Sequence, residues 1–495
     1  MPKDVPAPTS TRPDWVMIAI VLLAALVRLP WLATQSIAYD ESFSLVVALA
    51  DWPTLIQAIL SDGVHPPLFY MIHKGALSLW GTTEFGQRFL AALFSLIGLP
   101  LLYWSGRAMF NRRVGLLSAL LSALNPLHVW FAQEARMYSL LSALALISMT
   151  VFWQAIQTHR RRDWIALTVV NSLIFAVHYF GFLIPISQFL FIVVTFRRNY
   201  RYLRLWTLTQ LIAFLPLLPW LVATARRETQ SFGIGFLQRP TLVDLPLTWW
   251  NFALGWSDFF DWPVSGLSMT LFVVAGLSGL RWREKKYRSA QLILIVWIFL
   301  PPILVWLMSQ RRSFYSDRYL SFVIPALIML VAFGVTRLNS PVWRGVLAAG
   351  LIIASSYGLL NSRSDPAFFK DDWRGAVAYL ARHEQAGDVI LLYNSHLDIP
   401  FGYYYQGYLP RQPVSRVLDR FAIEPLVAGY RRAWVVYHYG RPPTHYPRQP
   451  LRPNGYWAED PDRNPLLADW LEAQANQVLD YQHFRGLELW LVACR

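Results

Sequence analysis

The sequence predicts a multi-span α-helical membrane protein with a small, water-exposed α/β domain at its C-terminal end. Hydrophobic residues make up 55% of the 495 residues and charged residues only 15%, whereas soluble domains carry about 25% charged residues. The charge is unevenly divided, because residues 1–360 hold 29 Lys and Arg against 15 Asp and Glu, while residues 361–495 hold 15 of each. This composition excludes a disordered chain, and a single cysteine excludes a disulfide scaffold.

Apolar segments close to the ~20 residues that cross a bilayer recur throughout residues 15–360. We predict about eleven transmembrane helices, at Trp15–Thr34, Phe85–Phe110, Val114–Asn125, Ser139–Gln157, Trp164–Val177, Phe182–Phe196, Leu205–Ala223, Val264–Leu280, Ala290–Met308, Leu320–Thr336 and Arg344–Leu360. Leu68–Trp80 is also apolar, but because it is short it predicts a re-entrant or interfacial helix.

The charges of the connecting segments predict an orientation. Basic clusters such as Arg160–Arg162 lie at alternate connections, and most acidic residues lie at the others. Because Lys and Arg mark cytoplasmic loops, we predict a cytoplasmic tail at 1–14, a membrane domain at 15–360 with a long first outside loop at 35–84, and an extracytoplasmic domain at 361–495. The positive charge is then an orientation signal for a protein among the lipids of the inner (plasma) membrane, and nucleic-acid binding is excluded.

Two adjacent carboxylates, Asp40 and Glu41, stand where the first predicted span leaves the bilayer. Carboxylates at a membrane boundary are costly to desolvate, so they indicate a functional site or a water-filled cavity. A structural interpretation is also open, in which Asp40 caps a helix that begins at Glu41. The two interpretations are compatible.

The segment 62–70 (DGVHPPLFY) predicts a turn that leads into an apolar helix. Its two prolines suit a first helical turn and place His65 at the helix entrance, where a helix N-terminus attracts anions. With Lys74 further along the helix, His65 suggests a phosphate site. The alternative is a solvated loop histidine.

Two later outside segments carry charges that the topology does not explain. Glu134 and Arg136 lie among apolar residues, either as a buried polar site or as a structural ion pair. The other segment places basic residues on the side that should lack them: Arg311, Arg312 and Arg318. Arginine matches phosphate oxygens two at a time, so a lipid headgroup or a substrate phosphate is one explanation, and interfacial anchoring of the first two arginines is the other. We favour Arg318 for the phosphate.

Motifs for other chemistries are missing from the sequence. It has no glycine-rich phosphate loop, no His-Glu-x-x-His metal motif and no nucleophile elbow. A divalent metal held by Glu41, Glu134 or His65 stays open, because scattered ligands leave no spacing signature. No other cofactor is indicated.

Residues 361–495 predict a small α/β unit. The patterns indicate a helix at Asp372–Glu384, strands at Asp388–Tyr393, Ala433–Tyr437 and Leu487–Val492, and a second helix at Leu466–Asn476. Strands separated by helices predict a parallel or mixed sheet. Covering the active site, selecting a substrate and a purely structural role are all open for this domain.

Four motifs, taken together, resemble one known group. Asp40-Glu41, His65-Pro66-Pro67-Leu68, Gln133–Tyr138 (QEARMY) and Asp317–Leu320 (DRYL) look like those of the bacterial glycosyltransferase family 39, or protein-mannosyltransferase-like, group. That group belongs to the GT-C superfamily and is related to the lipid A aminoarabinose transferases. The resemblance covers residues 15–360, and the segment 370–374 (KDDWR) is similar to tails of the same group.

The resemblance implies a GT-C fold and an enzyme that takes a sugar from a polyprenyl-phosphate carrier on the outer face. Asp40 would be the general base for a hydroxyl of a lipid, glycan or protein acceptor, and Glu41 would orient that acceptor. His65 stands where the aminoarabinose transferases have a lysine implicated in holding the carrier phosphate, and Arg136 and Arg318 would supply permanent charge. The remaining donor- or substrate-binding candidates are Lys74, Glu134, Tyr138 and Tyr319. One base acting in a single displacement inverts the anomeric centre.

Two other classes are open from the residues alone. A transporter or flippase for lipid-linked sugars predicts internal repeats and mid-span charges, whereas this chain shows no repeat and carries its notable charges at the outer ends of spans. A polysaccharide polymerase or ligase tends to place its key residues in one large, late outside loop. Here the paired carboxylates lie in the first loop, so the sequence favours the transferase.

Overall fold

The computed structural model of the chain describes residues 14–196, 200–226, 239–256, 262–280, 284–365, 368–393, 395–414, 423–438, 470–471, 474 and 477–494. Almost all of the predicted tail 1–14 and most of the predicted helix Leu466–Asn476 lie outside these ranges.

Helices fill the first part of the chain. They are α1 (Trp15–Arg28), α2 (Tyr39–Leu49), α3 (Trp52–Asp62), α4 (Leu68–Trp80), α5 (Glu84–Met109), α6 (Arg112–Leu124), α7 (Pro126–Ala132), α8 (Tyr138–Thr158), α9 (Arg161–Val177), α10 (Leu183–Thr195), α11 (Tyr200–Phe214), α12 (Leu218–Ala225), α13 (Asp244–Leu254), α14 (Trp262–Ser278), α15 (Lys285–Ser309), α16 (Asp317–Leu320), α17 (Ile324–Arg337) and α18 (Pro341–Ser364). Short 3-10 turns at Leu29–Trp31, Tyr179–Phe182, Leu215–Leu217 and Ser321–Val323 join or extend several of them.

Several of these helices are long and apolar enough to cross a bilayer. In the described part of the chain six stretches qualify, or seven if α6 and α7, which are bent by 64° at their junction, form one span. Three shorter apolar stretches are Trp15–Trp31, Tyr179–Thr195 and Pro263–Ser278. The predicted multi-span helical fold is confirmed, and all eleven predicted spans overlap helices. The number of crossings stays a prediction.

Packing within the bundle separates central from peripheral helices. The side chains of α8 and α17 are buried along most of their lengths, whereas α11 and α18 expose leucines, valines and isoleucines, as lipid-facing helices do. Close approach of α14 and α17 requires Gly334, because a Cβ there would lie 1.7 Å from the backbone oxygen of Ala275. Small residues of this kind let membrane helices pack backbone to backbone.

The segment 35–84, predicted to be a long first outside loop, is folded into α2, α3 and α4. The left-handed backbone of Gly63 (φ 64°) ends α3 and turns the chain toward α4, whose bounds match the predicted Leu68–Trp80 helix. The prediction that Asp40 caps a helix beginning at Glu41 is wrong, because α2 begins at Tyr39 with Ala38 at the cap position. Instead a carboxylate oxygen of Glu41 accepts from the backbone N–H of Ala38 at 2.9 Å, as a glutamate in the first turn can.

In the described residues, the C-terminal part is a mixed five-stranded sheet with helices against it. Its elements are α19 (Trp373–His383), β1 (Asp388–Tyr393), α20 (Asp398–Tyr404), β2 (Arg411–Val414), α21 (Glu424–Val427), β3 (Arg432–His438), β4 (Val478–Phe484) and β5 (Leu487–Ala493). The strand order is β2-β1-β3-β5-β4, with β1 parallel to β2 and β3, and β5 antiparallel to β3 and β4. The predicted mixed sheet and its three predicted strands are confirmed, and β2 and β4 were not predicted.

This domain packs directly on the segment that holds α2, α3 and α4. Helix α20 contacts α2, and the Tyr404 hydroxyl accepts from the backbone N–H of Ile37 at 2.8 Å and donates to Glu84 at 3.0 Å. Arg374 forms an ion pair with the same Glu84 at 2.7 Å. The residues around Asp40 are therefore enclosed from one side by the sheet domain.

Candidate active site

Four segments that are distant in sequence meet beside the N-terminal end of α2. Asp40 and Glu41 lie in the first turn of α2, Glu134 and Arg136 lie between α7 and α8, and the short α16 carries Arg318. His65 comes from the loop that precedes α4. The structure therefore brings together most of the residues that the sequence singled out.

Asp40 and Arg318 form the central contact. The guanidinium Nη1 of Arg318 donates to Oδ2 of Asp40 at 2.6 Å, and the side chains are 31% and 39% exposed, respectively. Burial raises the pKa of Asp40, but the guanidinium groups of Arg136 and Arg318 lower it by more, so that the pKa lies below its usual range. Asp40 is thus an ionised carboxylate that solvent or a substrate can reach.

Arg136 is buried beneath this pair. Its Nη1 donates to the backbone oxygen of Asp40 at 3.2 Å and to the hydroxyl of Ser44 at 3.0 Å, and its Nη2 lies 3.4 Å from Nε2 of His65. The prediction of a structural Glu134–Arg136 ion pair is not realised, since Arg136 turns toward α2 and His65. A permanent charge is therefore fixed next to Asp40 by several hydrogen bonds.

His65 is buried, so the interpretation as a solvated loop histidine is wrong. Burial lowers the pKa of His65 well below its usual value, and the charge of Arg136 and the neighbouring His178 lower it further. The ring is therefore neutral near pH 7, with Nε2 as the acceptor toward Arg136. Within the described residues its Nδ1 has no hydrogen-bond partner, which leaves a neutral N–H donor at the site.

Glu134 pairs with Arg318 rather than with its neighbour in sequence. Oε1 of Glu134 lies 3.7 Å from Nη2 of Arg318. Burial raises the pKa of Glu134, and the attraction of Arg318 and Lys370 offsets only part of this effect. The Arg318 guanidinium also lies over the ring of Tyr138, 6.0 Å from its centroid. Tyr319 packs against Tyr138 and His178, with ring centroids 6.4 Å and 5.7 Å apart.

The orientation of α16 depends on α13, which the sequence did not single out. Asp317 precedes Arg318 and accepts from the Thr248 hydroxyl at 2.8 Å and from the Asn251 amide at 2.6 Å. Both donors lie on α13 and are buried. A four-residue helix has little stability of its own, so these bonds hold the backbone that presents Arg318.

Glu41 is buried and its oxygens are fully engaged. Oε1 accepts from Nε of Arg88 at 2.8 Å and from the backbone N–H of Ala135 at 2.9 Å. Oε2 accepts from Nη2 of Arg88 at 2.8 Å and from Ala38, and lies 2.9 Å from Nζ of Lys370. Sequence reasoning gave no role to Arg88 or Lys370. For Arg88 there was a usable signal, because an arginine lies near the end of a predicted span.

Lys74 is placed elsewhere. Its Nζ donates to the backbone oxygens of Ala48 and Ala50 at 3.1 Å and 2.6 Å, and it lies over the ring of Trp52. These groups are at the C-terminal end of the 11-residue helix α2, about 15 Å from the end that carries Asp40. Lys74 therefore neutralises a helix C-terminus and does not join the other candidates.

Glu41, Glu134 and His65, which the sequence left open as metal ligands, are not arranged as a metal site. No group of three or more His, Cys, Asp or Glu side chains in the described ranges is arranged to hold a metal ion. Both oxygens of Glu41 already have donors, which does not suit a metal ligand. The chemistry of the site is that of carboxylates beside guanidinium groups.

Comparison with known proteins supports the predicted fold class. A model of the dolichyl-phosphate-mannose-protein mannosyltransferase family matches residues 64–222. The crystal structure of ArnT from Cupriavidus metallidurans in the apo state superimposes with a TM-score of 0.63 at 14% identity, over 96% of this chain and 97% of that chain. The same protein bound to undecaprenyl phosphate gives 0.60 at 15% identity, over 96% and 98%.

A more distant structure shares the same architecture. The apo oligosaccharyltransferase of Archaeoglobus fulgidus matches with a TM-score of 0.56 at 10% identity, over 86% of this chain and 69% of that chain. The fold, with its helical bundle, the folded segment that holds α2, α3 and α4, and the C-terminal sheet domain, is that of the GT-C class. The chain therefore has a GT-C fold, and residues 64–222 are similar to the protein-mannosyltransferase family, as the sequence predicted.

Proposed function

We propose that this chain is a membrane glycosyltransferase that moves a sugar from a polyprenyl-phosphate carrier to a hydroxyl of a lipid, glycan or protein acceptor on the extracytoplasmic face, with inversion. The observation that carries this proposal is the 2.6 Å contact between the reachable carboxylate of Asp40 and Arg318, with the buried charge of Arg136 next to it. A carboxylate base next to two fixed guanidinium groups suits a reaction in which a phosphate is the leaving group. The relatives support the donor class, because one of them has been solved with undecaprenyl phosphate.

The reaction needs one base and one clamp for the phosphate. The acceptor oxygen attacks the anomeric carbon, the bond from that carbon to the phosphate oxygen breaks, and the acceptor proton passes to the carboxylate of Asp40. The polyprenyl phosphate leaves with one more negative charge than it had in the donor, so Arg318 and Arg136 stabilise it most as the bond breaks. Because the attack is a single displacement, the anomeric configuration inverts.

The pairing of Asp40 with Arg318 also suggests an order of events. A donor phosphate competes with Asp40 for the Arg318 guanidinium, since arginine prefers the bidentate oxygens of a phosphate or carboxylate. Donor binding then frees the carboxylate to accept a proton. The neutral His65 adds a hydrogen-bond donor to the clamp, not a charge.

The test is transfer of radiolabelled sugar from a polyprenyl-phosphate donor by the purified chain. We expect Asp40→Asn to lower kcat about 100-fold to 10,000-fold, the range of general base catalysis, while the protein still inserts and folds. Asp51→Asn is the matched control, because Asp51 is an exposed helix cap in the same loop and asparagine caps equally well. Full activity of the Asp40→Asn variant would sink the assignment of the base.

A second outcome separates the enzyme from the transporter. A lipid-linked sugar flippase would move the labelled donor across proteoliposome membranes without transferring the sugar to any hydroxyl. Movement without transfer, unchanged in Asp40→Asn, contradicts the proposal.

A further inference from the structure

The Glu41 carboxylate joins four parts of the chain that carry the site. It receives donors from Ala38 at the cap position of α2, from α5 through Arg88, from the 133–137 segment through Ala135, and from Lys370 at the entrance to the sheet domain. Asp40 is its neighbour in sequence. Ala135 stands between Glu134 and Arg136, so its hydrogen bond to the Glu41 carboxylate also restrains the backbone of these two neighbours.

Lys370 is the part of this arrangement that comes from outside the membrane bundle. Its buried ammonium lies 2.9 Å from Glu41, donates to the backbone oxygen of Gln133 at 3.1 Å and lies over the Trp130 ring. Its own backbone N–H donates to the Gln35 side chain at 2.8 Å, and its backbone oxygen accepts from Arg485 at 2.7 Å. Arg485 lies at the turn between β4 and β5, so the lysine links the sheet to the first outside loop.

We propose that Lys370 is a positioning residue through which the sheet domain sets the geometry of the catalytic base, by holding the carboxylate of Glu41, which shares the first turn of α2 with Asp40, against the 133–137 segment. The domain is then a working part of the site, and its role is not confined to covering it. This inference rests on the proposed function for its kinetic consequence, but the geometry it describes is independent of the reaction.

The electrostatics of the cluster explain why a lysine is needed there. Burial raises the pKa of Glu41, and the charges of Arg88 and Lys370 lower it below its usual range, so the carboxylate is ionised inside the protein. A buried ion that loses one partner is left incompletely compensated. Removing the ammonium therefore loosens the carboxylate and, with it, the first turn of α2 and the Ala135 backbone.

The kinetic experiment compares Lys370→Met with Lys370→Arg and Arg374→Met. Misplacement of a catalytic group by about 1 Å costs on the order of 100-fold, so we expect Lys370→Met to lower kcat about tenfold or more with the donor KM little changed, and Lys370→Arg to recover most of it. Arg374→Met is the matched control. It breaks another ion pair between the sheet domain and the first loop, to Glu84, without touching Glu41, and we expect near-normal kcat.

Hydrogen exchange of the full-length protein supplies a readout that does not depend on activity. The amides of Ala38 and Ala135 donate to Glu41, so we expect both to exchange faster in Lys370→Met and to stay protected in Arg374→Met. If Lys370→Met does not accumulate, Lys370→Gln, which keeps an amide donor but no charge, carries the same two measurements.

The outcomes distinguish this inference from the proposed function. Unchanged protection of both amides in the Lys370 variants overturns the positioning role, as does an equal loss of kcat in Arg374→Met, which would indicate general docking of the domain. If the wild-type protein transfers no sugar at all, the proposed function fails. The exchange result then still decides whether Lys370 holds the Glu41 arrangement.

Discussion

Individual charges in this site have distinct tasks, which their surroundings assign. Asp40 is half-exposed and ionised, while Glu41, the adjacent residue, is buried with donors on both oxygens. Successive residues of a helix point about 100° apart, so one carboxylate of the pair faces the site and the other faces the protein interior. The pair therefore divides into one carboxylate that a substrate can reach and one that is held inside the protein.

Arg318 is the residue whose loss should act most directly on the donor. We expect Arg318→Ala to raise the donor KM about 10-fold to 100-fold, because a hydrogen bond to a charged group contributes about 1.5–3 kcal/mol. Competition binding of a polyprenyl phosphate measures the effect. Arg311→Ala, which removes an exposed arginine of the same connection, should leave the affinity unchanged, and equal losses in the two variants would point to nonspecific attraction.

The pH dependence tests the neutral state of His65. Burial places the pKa of His65 below its usual value near 6.5, and the net effect on Asp40 is also a lowering. Because both groups change charge only at lower pH, kcat/KM for the donor should be flat from about pH 8 down through pH 6.5. An inflection near pH 6.5 that disappears in His65→Asn would contradict the assignment.

The residue scale also shows what the sequence could reveal. Asp40, Arg136 and Arg318 were found because each places a charge where neither the membrane nor the orientation rule explains it. Lys74 was singled out because it follows His65 along the same predicted helix. Its ammonium instead donates to backbone oxygens at the end of α2, and a partner of this kind leaves no pattern in the sequence. Lys370 lies in the segment 370–374 that contributed to the resemblance, but a lysine in a part of the chain rich in charged residues gives no sign that its side chain is buried.

At the scale of elements, α13 and α16 form one unit. The buried carboxylate of Asp317 connects them through Thr248 and Asn251, and Arg318 follows directly in the chain. A substitution in α13 should therefore shift Arg318, which we propose to bind the donor phosphate, without altering Arg318 itself.

We expect Asn251→Leu to lower stability by about 1–3 kcal/mol, because it removes the amide donor from a buried carboxylate. It should also weaken donor binding, by less than Arg318→Ala does. Thermal unfolding in detergent and the competition assay measure the two effects. Asn251→Asp places a second carboxylate next to Asp317. Unchanged stability and donor affinity in that variant would therefore be inconsistent with a role of Asn251 in holding Asp317.

The strands that the sequence missed have a common physical character. β1 and β3 are buried and apolar, and their bounds were predicted within a residue. β2 is four residues long and includes a proline, and β4, also at a sheet edge, mixes polar and apolar residues without regular alternation. Edge strands bury one face at most, and their sequences carry a weak pattern.

On the scale of the whole molecule, the candidate site depends on both the apolar helical bundle and the more highly charged C-terminal sheet domain. The candidate site lies where the two parts meet, near Glu41 and Lys370, and each part contributes to it. Composition predicted a boundary after residue 360, which falls inside α18. Contacts such as that of Tyr404 with Ile37 arise from chain segments more than 300 residues apart, which no local pattern encodes.

The orientation of the molecule gives the last prediction. The 21-residue helix α8 begins beside the site at Tyr138 and ends near Arg161, so it separates the two by about 30 Å, while the sheet domain lies on the side of the site. In a Cys494→Ser background, a membrane-impermeant maleimide applied to intact spheroplasts should label Tyr408→Cys, since Tyr408 is fully exposed on the sheet domain. It should label Arg161→Cys only after permeabilisation, because loops rich in Lys and Arg are predicted to face the cytoplasm. The reverse pattern would place the proposed site on the cytoplasmic face and would rule out transfer on the outer side.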